Sequence, residues 1–328
     1  MAANTAALDR SVAWYQSQAW APTTLRTYRV QFKAYLTFCE RFSLNPVPIS
    51  PRQLCWYIAY LARRLAYGSI RQYLNAVRIL HDRCGFSAPI QDFNVQITLR
   101  GVKRVKGDCP GRKSPMTPAL LLHILANLDL HSPTQAAVFA AALTLFFGVL
   151  RRANLIPPQD APFDHTRHLR RRDVTITPQG ATLLIRWTKT NQYRNKVVVL
   201  PLPRLPKHVL CPTQAIKHYF SLTPGADPDG PAWVVPGRRG LYPLTPKLFV
   251  ETVKASLRHI CDGNTIGGHS FRRGGAIWLR QCGVGIPLIR EIGDWASDAY
   301  MRYVVTSPHT IAKTISQAAQ NLPQWDKI

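Results

Sequence analysis

The chain has 328 residues, of which 46% are hydrophobic and 10% aromatic, so it can form two globular domains and is not a disordered chain. Its 42 lysines and arginines stand against 17 acidic residues, which gives a formal net charge of +25. Because the basic residues extend from Arg10 to Lys327, we expect a folded body whose surface meets a nucleic acid. The alternative interpretation of this charge is a ribosomal-type protein or a protein that is basic for no functional reason.

Other classes of protein are excluded by features that the sequence lacks. The N-terminal residues show no charged segment followed by a long apolar run, so no signal peptide is predicted. No stretch reaches the roughly 18 apolar residues of a membrane span. The 7 cysteines are odd in number and never form a C-x-x-C pair, so free thiols in a reducing compartment are expected. Neither a metal-ligand cluster nor a G-x-x-x-x-G-K-[ST] loop occurs, so no cofactor is predicted.

Residues 1–107 are predicted to be helical throughout. Pro22 to Thr24 are a start signal for an amphipathic helix. Its inward face is expected to hold Leu25, Tyr28, Phe32, Tyr35, Leu36 and Cys39. Ser50 and Pro51 form an N-cap and N1 pair that opens a second helix, PRQLCWYIAYLARR.

A third helix is predicted to run from Ile70 to about Gly85, with Ser69 as its cap. Its inward residues are Ile70, Tyr73, Leu74, Val77 and Leu80, while Arg71, Arg78 and His81 fall toward the other face. The basic residues of this helix and of the segment near 105 are candidate DNA contacts. They are Arg71, Arg78, Lys103, Arg104 and Lys106, and a solvated basic face is an equally open interpretation.

Residues 108–117 are basic, contain glycine and proline, lack periodicity and are predicted to be a linker. The second part begins with helices, among them a buried helix in the apolar run at 136–150. DVTIT, ATLLIRWT and NKVVVLPL then indicate short strands. Helices resume at about 212–221 and 246–261 and continue to the end. The fold class is therefore mainly α with a small antiparallel β-sheet in the C-terminal domain, an α+β arrangement.

Five separated segments of the second part carry groups that suit a phosphodiester. They contribute Arg151, Lys189, the pair His269 and Arg272 in GGHSFRRGG, Trp295, and Tyr303. Two guanidiniums can clamp the non-bridging oxygens of a phosphate, while tyrosine, lysine and histidine can attack or transfer protons. The glycines that flank His269 and Arg272 are expected to allow close approach, and Arg152 and Arg273 are assigned the wrong helical phase for the clamp.

The order and spacing of these segments resemble the tyrosine recombinase family of the lambda-integrase type. The resemblance rests on GVLRRANL, on TKT after a strand, on HSFR, and on Gly293 followed ten residues later by tyrosine. HSFRRGGA and GDWASDAYMRY look most like the recombinases of eukaryotic Crypton and DIRS/Ngaro mobile elements. The resemblance implies a two-domain architecture. A helical core-binding (SAM-like) DNA-binding domain at 1–107 and the linker at 108–117 would precede a catalytic domain with a C-terminal assembly tail at 118–328.

The resemblance also implies the role of each site residue. Tyr303 would be the nucleophile, Arg151 and Arg272 the phosphate clamp, and Lys189 the general acid for the 5′ hydroxyl. His269 would assist proton transfer and hydrogen-bond the phosphate, and the neighbouring Tyr300 fits the spacing of the nucleophile badly. Asp294 departs from the family, which often has histidine there, so the supporting donor is assigned to Trp295 and the role of Asp294 stays open.

The function that the resemblance implies is site-specific cutting and rejoining of double-stranded DNA through a 3′-phosphotyrosyl intermediate. It further implies integration or excision of a mobile element, a tetrameric synapse and a nuclear location. A type IB topoisomerase and a non-catalytic DNA-binding descendant remain alternatives. The apolar residues Ile311, Ile315, Ala318 and Leu322 form a stripe after Tyr303 that suits docking on a neighbouring protomer or on its own domain.

Overall fold

The computed structural model describes residues 5–108, 113–159, 162–188, 191 and 197–295. The chain divides into two compact units, residues 1–112 and 113–328. Both units are predominantly helical, and small antiparallel sheets lie in the second one, which confirms the predicted fold class. No helix in these ranges is long and apolar enough to span a membrane.

The first unit is built from helices that are joined by short turns. They are α1 (Thr5–Gln18), α2 (Pro22–Arg41), α3 (Pro51–Ala62), α4 (Tyr67–Arg83) and α5 (Phe93–Lys106). Ser50 caps α3 as predicted, because its hydroxyl accepts the Gln53 N–H at 3.3 Å while Gln53 Oε1 accepts the Ser50 N–H at 3.0 Å. The predicted cap at Ser69 is wrong. Helix α4 starts after the extended Ala66, whose side chain forms no capping bond and therefore leaves no signal in the sequence.

An aromatic cluster forms the centre of the first unit. The ring of Tyr57 lies 5.2 Å from that of Tyr35 and 4.9 Å from that of Phe38. Leu36, which was predicted to face inward, is 46% exposed. One residue along a helix turns the side chain by about 100°, so Leu36 cannot share the face of Tyr35.

His81 is completely buried in the first unit, and its predicted place on the outer face is wrong. Its Nδ1 lies 2.9 Å from the Val77 carbonyl, and its Nε2 accepts the Ile49 N–H at 3.1 Å. Since Nε2 is the acceptor, Nδ1 carries the proton and donates to Val77. Both ring nitrogens thus have partners, which is the condition for burying an imidazole.

The second unit surrounds one central helix. Its helices are α6 (Pro118–Ala126), α7 (Pro133–Phe147), α8 (Arg152–Leu155), α9 (Pro212–Ser221), α10 (Pro246–Leu257), α11 (Gly268–Gln281) and α12 (Ile286–Ile292). Helix α7 is buried along its length from Ala136 to Phe146, as predicted for the apolar run, because it contacts α9, α10 and α11. A helix that is apolar on every side is stable only in such an interior position.

A three-stranded antiparallel sheet lies beside this helical body. Strands β1 (Val174–Ile176), β2 (Gly180–Ile185) and β3 (Val198–Pro203) follow one another in the order of the chain. Val174 pairs with Leu183, and Ile185 pairs with Val198. The predicted strands are therefore present. A second hairpin, β4 (Val234–Gly237) and β5 (Gly240–Pro243), was not predicted.

Part of the predicted linker is bound into the second unit. The Ser114 N–H donates to the Thr265 carbonyl at 2.7 Å, and the Met116 N–H donates to the Ser270 carbonyl at 2.8 Å. Residues 113–117 consequently run along the start of α11 and belong to the unit that carries the candidate site.

Candidate active site

Arg272 lies at the centre of the candidate site and is almost completely buried, with 2% of its surface exposed. Its Nη1 donates to the Val149 carbonyl at 2.7 Å, and its Nη2 donates to the Gly293 carbonyl at 2.6 Å. The Trp295 ring lies 4.0 Å from the guanidinium carbon. We name these four residues the Arg272 junction. A guanidinium presents its donors in a rigid fork, so the junction holds three chain segments in a defined arrangement.

The turn between α7 and α8 supplies the first of these segments. Val149 is buried and adopts a φ of 49°, which a β-branched residue rarely does. Its packing against Ala276, Ile289 and Trp295 and the bond from Arg272 hold it in that conformation. The turn ends at Arg151, two residues after the carbonyl that Arg272 binds. The position of the Arg151 backbone is therefore fixed by the bond between Arg272 and Val149.

Asn154, which was not predicted, connects Arg151 to the segment that follows strand β2. Its Oδ1 accepts the Arg151 N–H at 3.1 Å, and its Nδ2 donates to the Trp187 carbonyl at 3.3 Å. Asparagine three residues after Arg151 is a weak capping signal that could have pointed to the first contact, but nothing in the sequence points to the second. The side chain of Asn154 is buried, so it sets the distance between the two predicted site segments.

The end of α12 supplies the other two contacts of the junction. Gly293 is placed so that an added Cβ would lie 1.9 Å from Trp295 Cζ3, and only glycine therefore allows the indole to lie over Arg272. Trp295 is 7% exposed. The ring thus covers the guanidinium, while the predicted donation by its indole N–H stays a prediction.

Asp294, whose role was open, contacts the strand that precedes Lys189. Its Oδ2 accepts the hydroxyl of the buried Thr188 at 2.7 Å. The same hydroxyl accepts the Asn191 N–H at 3.0 Å. Asp294 has a φ of 48°, a conformation that aspartate tolerates better than most residues. The carboxylate therefore ties the segment at 293–295 to the last described residue before Lys189.

A buried ion pair joins the start of β1 to the segment that follows β2. Asp173 is 2% exposed, its Oδ1 accepts from Arg170 at 3.1 Å, and it also pairs with Arg186 at the end of β2. Burial alone would raise the pKa of the Asp173 carboxyl, but the hydrogen bonds from both arginines hold that pKa below its usual value. The segment from the end of β2 to Thr188 is consequently fixed where it leaves the sheet.

The two glycines that follow Arg273 serve packing inside the protein. A Cβ on Gly274 would lie 1.9 Å from the Met116 carbonyl oxygen, and one on Gly275 would lie 2.1 Å from the Phe146 carbonyl oxygen. The expectation that this glycine pair gives an outside molecule access to the backbone is therefore wrong. It lets the backbones at 116 and 146 approach α11, which brings Arg272 within reach of Val149.

The other predicted site residues are placed unequally. His269 and Arg272 both lie on α11, as expected, but His269 in the first turn is exposed while Arg272 is buried. Lys189 and Tyr303 lie outside the described residues, as do Tyr300 and the C-terminal stripe from Ile311 to Leu322. Their roles remain predictions.

Arg273 and Arg152, the two arginines that were assigned the wrong helical phase for the clamp, differ in their surroundings. Arg273 donates to the Lys113 carbonyl at 2.7 Å and so fastens the segment before α6. For Arg152 the argument from helical phase is wrong, because Arg151 is extended, with φ −74° and ψ 138°, and α8 begins only at Arg152.

The predicted DNA contacts of the first unit lie on its surface. Arg71 and Arg104 are exposed. Arg78 pairs with Asp82 at 2.8 Å, Lys103 pairs with Asp108 at 2.8 Å, and Lys106 donates to the Leu65 carbonyl at 3.1 Å. Exposed pairs of this kind are weak in water, so these side chains can exchange their partners for a phosphate.

Comparisons with known proteins agree on the kind of fold. No family model matches the chain. The integrase/recombinase XerD homolog of Selenomonas ruminantium is 23% identical over 301 residues, which cover 87% of this chain and 82% of the relative. A lambda integrase dimer bound to a COC′ core site has a TM-score of 0.56 and 15% identity, covering 98% of this chain and 97% of the other. The Tn1549 transposon integrase in complex with a circular intermediate DNA has a TM-score of 0.59 and 14% identity, covering 94% and 98%.

Proposed function

We propose that this chain, which is similar in sequence to an integrase/recombinase and in fold to two integrases, is a site-specific DNA recombinase of the tyrosine type that cuts and rejoins DNA strands. The observation that carries the proposal is the Arg272 junction. It joins the turn before Arg151, the helix of His269 and the segment of Trp295 at one point. Transfer of a phosphodiester needs such preorganised positive charge, because charge develops on the non-bridging oxygens.

The chemical step proposed for this site is a transesterification. The Tyr303 oxygen attacks the phosphorus of a DNA phosphodiester, so that a tyrosine–phosphate bond forms while the bond from phosphorus to the 5′ oxygen breaks. Lys189 gives a proton to the departing 5′ oxygen, and His269 assists removal of the tyrosine proton. The product is a 3′-phosphotyrosyl ester and a free 5′ hydroxyl. Attack by the 5′ hydroxyl of a partner strand reverses the step.

The biological setting that we propose is integration or excision of a mobile element. The support for it is the likeness of the HSFRRGGA and GDWASDAYMRY segments to recombinases of Crypton and DIRS/Ngaro elements. A tetramer that synapses two DNA sites, and a location in the nucleus, belong to the same proposal. The net charge of +25 supports the common premise of a duplex DNA partner.

Trapping of the covalent intermediate tests the proposed chemistry. A nicked suicide duplex loses a short fragment after cleavage, so an active enzyme stays attached to the DNA and migrates as a larger species on a denaturing gel. We expect wild type and Tyr300→Phe to form this adduct and Tyr303→Phe to bind DNA without forming it. An adduct with Tyr303→Phe at the wild-type level would move the nucleophile to Tyr300. Joining of the trapped strand to a second duplex distinguishes a recombinase from an enzyme that only relaxes DNA.

A further inference from the structure

Arg152 lies beside the candidate active site but belongs to none of the contacts described so far. It is the first residue of α8, directly after Arg151. Its stem runs along the start of α11, since a Cβ on Gly268 would lie 3.1 Å from Arg152 Cβ and Cδ and 3.5 Å from its Nε. Gly268 in turn precedes His269. Arg152 is therefore half-buried between two segments that carry predicted site residues.

The guanidinium of Arg152 has no partner within the described part of the chain. It forms neither a hydrogen bond nor an ion pair there, and burial, with no charged neighbour opposing it, lowers its pKa. An arginine nevertheless stays charged at neutral pH. The side chain is thus a cation that has lost part of its hydration without receiving an acceptor from the described residues in exchange.

Other half-buried arginines of the same unit behave differently. Arg171 donates to the Phe220 and Thr223 carbonyls at 3.0 and 2.9 Å and lies 3.9 Å from the centre of the Phe220 ring. Arg170 donates to both Asp173 and Asp229. The contrast matters because a desolvated charge costs free energy unless it is paired. For Arg152 this cost is not offset within the described residues.

The surroundings of Arg152 favour an anion. Arg151 precedes it, and His269 and Arg272 follow on the helix that it contacts. Helix α11 also begins at this point, and the positive end of its dipole opposes an unpaired cation. An anion bound here would offset the desolvation and the mutual repulsion of these groups together.

We propose that Arg152 binds a phosphate of the DNA backbone next to the one held by Arg151 and Arg272. The inference rests on the proposed function, because the ligand is the same DNA strand. Arg151 is extended and Arg152 begins the helix, so their side chains leave the backbone in different directions and reach different phosphates. Arg152 is a binding residue in this assignment and takes no part in proton transfer.

Two measurements with opposite expected signs test the assignment. Arg152→Met keeps the stem and removes the charge, so we expect the thermal midpoint to stay unchanged or rise. Affinity for a random-sequence duplex should fall about tenfold or more, with a salt slope shallower by about 0.9. Arg152→Lys should recover part of the affinity. Arg171→Met is the matched control, and it should lower the thermal midpoint and leave the affinity unchanged. A lower midpoint with unchanged affinity for Arg152→Met would overturn the assignment.

Neutral methylphosphonate linkages identify the phosphate. The DNA sequence is first recovered by covalent trapping. One methylphosphonate placed next to the cleaved linkage should then weaken DNA binding by the wild-type protein but have little effect on binding by Arg152→Met. If methylphosphonate weakened DNA binding by both proteins equally at every linkage tested, the proposed contact between Arg152 and a phosphate would be wrong. The wild-type protein distinguishes failure of the proposed recombinase function from failure of the proposed Arg152 contact. If the wild-type protein binds DNA but forms no covalent adduct, only the proposed recombinase function is contradicted. The salt slopes of wild type and Arg152→Met then still decide whether Arg152 binds a phosphate.

Discussion

Substituting Gly293 by alanine tests whether the Arg272 junction holds the candidate site together. The added methyl group would lie 1.9 Å from Trp295 Cζ3 and 2.1 Å from Cε3. These atoms belong to a rigid buried ring, so the indole has to leave its position over Arg272. The backbone at Gly293 itself has a φ of −80°, which alanine adopts without strain. The whole effect therefore arises from the ring.

The loss of stability expected for Gly293→Ala has two contributions. Overpacking of a tight interior costs about 1–3 kcal/mol, and loss of a desolvated cation–π contact costs about 2 kcal/mol. Gly293→Ala should therefore lower the free energy of unfolding of the second unit by about 3–5 kcal/mol. Because displacement of the ring also disturbs Arg272, DNA cleavage should fall as well. Urea titration followed by circular dichroism measures the first quantity, and suicide-substrate trapping under native conditions measures the second.

A matched variant and a double mutant make this prediction specific. Gly285 lies at the other end of α12, and a Cβ there would meet only Pro287 Cδ at 3.8 Å. Gly285→Ala should therefore cost less than about 1 kcal/mol. In a Trp295→Leu background the clashing ring atoms are gone, so Gly293→Ala should cost little. An equal cost of Gly293→Ala in both backgrounds would refute the reasoning, since contacting residues must show coupling.

The remaining predictions concern Thr188, Asp173 and Lys189. Thr188→Val removes the hydroxyl bonded to Asp294 and should lower the free energy of unfolding by about 1.5–3 kcal/mol. Thr188→Ser keeps a hydroxyl and should retain most of the wild-type stability, and urea titration measures both variants. The depressed pKa of Asp173 gives stability that is present above about pH 4 and lost as the pH falls through its folded value. Asp173→Asn should therefore be less stable at neutral pH and lack this acid-dependent loss of stability, in unfolding measured from neutral pH down to about pH 2. Lys189→Ala should slow cleavage of ordinary DNA by about 10²–10⁴-fold, and a 5′-bridging phosphorothiolate should restore most of the rate. The same sulfur should not rescue Arg272→Ala, and equal losses on both substrates would reassign the acid to His269.

Local patterns in the sequence determined most of the helices, the three strands of the larger sheet and the order of the site segments. Ser50 and Gln53 cap their helix through contacts only three residues apart, and the apolar run at 136–150 is too hydrophobic for any place except the interior. Such features depend on neighbours along the chain, which a sequence displays directly. The order and spacing of the motifs likewise predict Arg151, His269, Arg272 and Trp295 as site residues.

Tertiary structure alone decided what those residues touch. Burial of Arg272 depends on carbonyls at 149 and 293, and the Gly274–Gly275 pair is explained by backbones at 116 and 146. The bond from Thr188 to Asp294 spans 106 residues. That Arg152 is half-buried against α11 without an acceptor among the described residues is likewise visible only in the tertiary structure. The physical reason is the same in each case. Hydrogen bonds, desolvation and steric fit depend on separations of a few ångströms between residues far apart in the chain, and no local pattern records those separations.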